Sequence, residues 1–134
     1  MATWLDPERL AREFVDAFNR GDADAFVDAC DPDVEIVSLR GLLEHFAYQG
    51  RDGARQFLRD SAETWSKAEL ELLEFDVRGT DMVVDGRMRA IGRASGAVTE
   101  RPLVWAVRIR DGRVARVAPH ETCESARRDL GWGD

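Results

Sequence analysis

The apolar residues of this chain change their period near residue 68. Before it, Leu10, Phe14 and Phe18 recur every four positions, and Phe57, Ser61 and Trp65 do the same on a later stretch. After it, the pattern shifts toward a period of two as far as residue 121, with turns around Ser95-Gly96 and at Asp111-Gly112. A period of about 3.6 fits helices with one buried face, and a period of two fits half-buried strands. Helices first and an antiparallel meander afterwards predict an α+β domain, not a doubly wound sheet.

Local signals sharpen this. Asp6-Pro7 opens a helix, with an acidic N-cap followed by proline where no N–H is needed. Asn19-Arg20-Gly21 closes it, since glycine tolerates the left-handed cap. Asp22 caps a second, short helix on which Phe26 and Cys30 share a face, and Asp31-Pro32 stops it. Residues 34–39 read as a strand, and residues 40–50 are irregular. Asp52 is expected to cap a third helix that carries Ala54, Phe57 or Leu58, Ser61 and Trp65 on one side. Strands follow over 68–78, 82–94, 98–110 and 114–121. The first slips phase between Leu72 and Leu73, which predicts a bulge. Residues 123–130 form a last helix. Three amphipathic helices can cover one face of a curved sheet and leave a conical pocket for a ligand.

The 134 residues suit one domain with a real core, and no repeat or linker divides them. A net charge of −7 argues against a nucleic-acid surface. Lys67 is the single lysine, and the arginines are read as solvated or paired surface. Two cysteines build neither a disulfide framework nor a four-ligand zinc site, so reduced thiols and a cytoplasmic location are expected. The stretch MATWLDPERLAREF has no long apolar run, which predicts neither a signal peptide nor a membrane span.

The segments AREFVDAFNRGDADAFVDACDPDVEI, YQGRDGARQFL, VWAVRIRDGRVARV and ESARRDLG, taken in order, resemble the SnoaL-like branch of the nuclear-transport-factor-2-like superfamily. The resemblance spans nearly the whole chain. It implies a cone-shaped, curved, mostly antiparallel sheet with three N-terminal-half helices on its concave face, a cystatin-like α+β roll. It also implies a deep apolar pocket, a small apolar or polyketide-like ligand, and often a homodimer through the outer face of the sheet. Ketosteroid isomerases, polyketide cyclases, an epoxide hydrolase and a dehydratase share the fold, so the pocket residues must decide the chemistry.

The isomerase pattern is broken here. Phe14 falls where those enzymes carry a tyrosine, and it cannot donate to an oxyanion. The base position falls near Val37, with Glu35 as the nearest carboxylate. Asp85, Arg87 and Arg89 superficially fit the hydrolase pattern. The opposite face of their strand (Met82, Val84, Gly86, Met88, Ala90 and Gly92) is the better lining for an apolar cone. Arg93 in GRASG could orient an anionic ligand or close a hairpin end with Glu100. Glu44, His45 and Tyr48 lie on a segment that overhangs the pocket mouth in this family. His120 takes the place of an inward aromatic at the end of the last strand, and Thr122 can cap the helix after it.

The expected catalytic residues are therefore His120 and His45 as acid–base groups, with Glu35 as partner. Trp105, Trp65, Tyr48, Phe14, Phe18, Met88 and Arg93 are expected to contact the ligand. No metal site is expected, because no three ligands converge. Two functions fit: a cofactor-free isomerase, cyclase, dehydratase or hydrolase, and a non-catalytic small-ligand-binding or dimeric accessory protein.

Overall fold

Helix α1, Pro7–Arg20, begins as its capping residues require: the Asp6 carboxylate accepts from the Arg9 N–H at 3.3 Å. It ends at Gly21, whose φ of 70° admits the left-handed cap. Asp22 caps α2, Ala23–Asp28, in the same way through the Ala25 N–H. These contacts belong to a computed structural model that describes residues 6–38 and 46–133. Strand β1, Cys30–Ile36, starts earlier than the sequence pattern suggests. Cys30 therefore belongs to a strand rather than to α2, and its thiol donates to the Phe26 carbonyl at 3.4 Å.

The short strand β2, Tyr48–Gln49, leads into α3, Gly50–Thr64. No side chain caps α3: Gln49 precedes it, and Asp52 sits in its first turn, where a negative charge suits the helix dipole. Trp65 is not on this helix but opens β3, Trp65–Arg78. Strands β4, Asp81–Gly92, β5, Val98–Arg110, and β6, Arg113–His120, complete the meander. Helix α4, Cys123–Asp129, follows with Thr122 as its cap. The β5–β6 turn holds Asp111 at φ 53° and Gly112 at φ 76°, the paired left-handed geometry of a tight hairpin.

The sheet order is β2-β1-β6-β5-β4-β3, parallel only between β1 and β6. The bulge expected near Leu72 is present, as a register shift between Leu72 and Glu74. A second shift, between Arg108 and Ile109 on β5, skips Ala115 on β6. Helices α1, α2 and α3 bury Phe14, Phe26 and Ala54 against Val34, Val84 and Val114 on one face. Helix α4 covers part of the other face, packing Ala126 and Leu130 against Val83, Val104 and Ala106. At the free edge of β3, the Asn19 carboxamide donates to the Leu70 carbonyl and accepts from its N–H, both at 2.9 Å. Among the described residues, no helix is long and apolar enough to cross a membrane.

Candidate functional site

Between the three helices and the sheet lies a cavity of about 240 Å³. Its wall is almost wholly apolar. Phe14 and Phe18 come from α1, Phe57 from α3, Met88 from β4, and Trp105, Val107 and Leu103 from β5. Trp65 and Tyr48 also line it. Thus Trp105, Trp65, Tyr48, Phe14, Phe18 and Met88 all line one cavity.

Polar atoms enter this wall mainly from α3, through Asp60, Ser61 and Thr64, and from Ser38 beyond β1. The Tyr48 hydroxyl donates to Asp60 Oδ2 at 2.6 Å. Gln56 Nε2 donates to the other carboxylate oxygen, Oδ1, also at 2.6 Å. Sequence reasoning missed Asp60. The signal was available: Asp60 lies three residues after Phe57 and four before Thr64, so a turn of α3 places it beside the inward stripe.

Three expected site residues stand elsewhere. Arg93 does not reach the cavity. Its guanidinium donates to the Ala62 and Trp65 carbonyls, at 2.8 and 3.3 Å, and its N–H to the Thr64 carbonyl. It satisfies carbonyls that the end of α3 leaves open, which accounts for a cation at this point. Glu35 faces Arg116 at 3.7 Å, away from the cavity. His120 also lies on the outer face, because the skipped residue Ala115 inverts the phase of β6: Val117 and Pro119 turn inward, and Arg116 and His120 outward. His45 and Glu44 lie outside the described residues.

A SnoaL-like domain model matches residues 11–117. The chain belongs to the SnoaL-like family. No curated protein matches it. Among solved structures, an NTF2-like protein of unknown function from Burkholderia pseudomallei K96243 is 24% identical, with a TM-score of 0.76 and coverage of 91% of this chain and 95% of that one. TerC, co-crystallised with polyporic acid, is 20% identical with a TM-score of 0.76, covering 89% and 93%. A candidate polyketide cyclase from Xanthomonas campestris pv. campestris is 20% identical with a TM-score of 0.75, covering 89% and 92%. These likenesses concern the fold.

On the outer face of this SnoaL-like domain, His120 belongs to a polar network that fastens α4. Its Nε2 meets Asp129 Oδ2 at 2.8 Å, and its Nδ1 meets Ser125 Oγ at 2.7 Å. Arg116 donates to both Asp129 oxygens at 2.9 Å. An ionised Asp129 can only accept, so it takes the Nε2–H, and Nδ1 pairs with the Ser125 hydroxyl. Burial alone would raise the Asp129 pKa, but hydrogen bonds from Arg116 and His120 outweigh it and hold the carboxyl below its ordinary 3.8.

A depressed carboxyl stabilises the fold fully above its ordinary pKa and loses that contribution as acid protonates it. Thermal melts of the wild type are therefore expected to fall as pH drops from about 5 to about 3, and more steeply than those of Asp129→Asn. His120→Ala is expected to lower the melting temperature at neutral pH without changing ligand binding in the cone.

Neither thiol in the SnoaL-like domain is primed to react. Burial pushes Cys30 up to about 12. Burial, with the nearby Asp85 carboxylate, also raises Cys123. Among the described residues, no three His, Cys, Asp or Glu side chains gather as metal ligands would.

Proposed function

We propose that this SnoaL-like protein binds a small, largely apolar molecule in its cone and moves a proton on it with Asp60 and Tyr48, without a cofactor. The observation that carries this is the 2.6 Å Tyr48–Asp60 hydrogen bond in a largely apolar, aromatic wall. An ionised Asp60 can take a proton from an acidic C–H or O–H of the ligand. The Tyr48 hydroxyl then donates to the oxygen left negative, and the low-dielectric wall strengthens that interaction. Return of the proton to a different atom gives an isomerisation. The co-crystallisation of TerC, a protein of the same fold, with polyporic acid supports a small-molecule ligand for this chain.

His45, three residues before Tyr48, is retained in this proposal as a further acid–base group. A homodimer through the outer sheet face also remains part of it. Charged residues stand in register across three strands of the sheet, Glu69 on β3, Arg89 on β4 and Glu100 on β5.

The test uses an enolisable benzo-fused cyclic ketone, 2-tetralone, in D2O, with loss of its α-proton signals followed by NMR. The wild type is expected to accelerate exchange. Asp60→Asn should reduce the acceleration by about 100-fold or more, with Tyr48→Phe and His45→Ala also slower. Binding of the ketone by all variants, with equal exchange in wild type and Asp60→Asn, would leave a ligand-binding protein and remove the acid–base role.

A further inference from the structure

Among the described residues, two apolar clusters line the cavity, and polar side chains of α3 lie between them on the helix side. One cluster is built around Phe14, Phe26 and Val114, the other around Met88, Ala90 and Leu103. Trp105, on the sheet side, packs against both clusters. Along the helix side, Phe57 packs into the first cluster and Trp65, just past the end of α3, into the second. Asp60, Ser61 and Thr64 lie in the wall between these two aromatics, and the Tyr48 hydroxyl meets Asp60 there.

From this arrangement we infer that the molecule taken by the cone has an oxygen-bearing, enolisable or ionisable centre flanked on both sides by apolar groups. The inference rests on the proposed binding role of the cone and names the class of ligand. A polar group buried against the side chains of either cluster would lose its water without gaining a partner from them. Between the clusters it meets the Asp60, Tyr48, Ser61 and Thr64 side chains. A ligand with one apolar flank would leave the other cluster exposed to the cavity and forfeit that burial.

Three matched compounds test this by calorimetric titration into the whole wild-type chain. Dibenzoylmethane has two phenyl rings around a β-diketone. Benzoylacetone keeps the diketone and replaces one ring by methyl. 1,3-Diphenylpropane keeps both rings and has no oxygen. Dibenzoylmethane is expected to bind about tenfold or more tightly than either partial compound, since one buried ring or one satisfied polar centre is worth that much.

Equal binding of benzoylacetone and dibenzoylmethane would overturn the two-flank inference, and equal binding of 1,3-diphenylpropane would overturn the polar centre. Both outcomes would leave the cone as a small-molecule site. Failure of all three compounds, together with 2-tetralone, to bind would overturn the inference and the proposed function together.

Discussion

Gly86→Ala is expected to destabilise the fold by about 3 kcal/mol or more, at the top of the range for overpacked interiors. The glycine sits on β4 opposite Leu103, and its backbone is not in the left-handed region. The requirement is for space. A Cβ there would fall on the Glu71 carbonyl oxygen and lie 2.8 Å from Cζ3 of Trp105. An indole ring can tilt, but a carbonyl held in the β3–β4 ladder cannot move without the strand. Urea unfolding of wild type and variant measures the loss. Adding Trp105→Leu to Gly86→Ala is expected to recover only a small part of it. Full recovery would mean that the indole, not the Glu71 backbone, is the obstacle.

Phe26→Ala is expected to cost about 3–5 kcal/mol, the range for emptying an aromatic site in a core. Phe26 is 1% exposed. Its ring stacks on Phe14 with centroids 4.3 Å apart and approaches Phe57 at 6.0 Å and Phe18 at 6.3 Å. These aromatics join α1, α2 and α3 and also form the apolar end of the cone. The loss is a large fraction of the stability of a domain this size. Thermal and urea unfolding of Phe26→Ala and Phe26→Leu check it, with leucine expected to restore part because it refills part of the volume. A change below about 1 kcal/mol for alanine would mean that the helices repack over the gap.

The architecture was readable because period and punctuation are local. The switch of period, the caps at Asp6 and Asp22, the turn at Asp111-Gly112 and the bulge after Leu72 each leave a mark in neighbouring residues. The direction in which His120 points depends instead on a residue skipped where β6 pairs with β5. Ala115 looks like any small strand residue, so nothing local contradicted the inward direction that the family resemblance implied for residue 120. Trp65 was placed on the third helix because it continues that helix's apolar stripe, yet it opens β3. Arg93 looked like a ligand contact because the carbonyls it satisfies come from Ala62 and Trp65, about 30 residues earlier in the chain. Asp60 was hidden by its neighbour: Arg59 and Asp60 read together as a solvated pair, although Asp60 lines the cone beside Ser61.

The Asn19 side chain has a consequence beyond α1. A strand of 14 residues at the end of a sheet offers its free N–H and C=O groups as a template on which another chain can add. Asn19 occupies that template at Leu70, imitating with its own amide the pair of hydrogen bonds an incoming strand would make. Two residues further on, the shift between Leu72 and Glu74 breaks the regular spacing that a second strand would have to follow. The edge therefore carries its own protection against sheet extension and aggregation, supplied by a helix whose other face builds the wall of the cone.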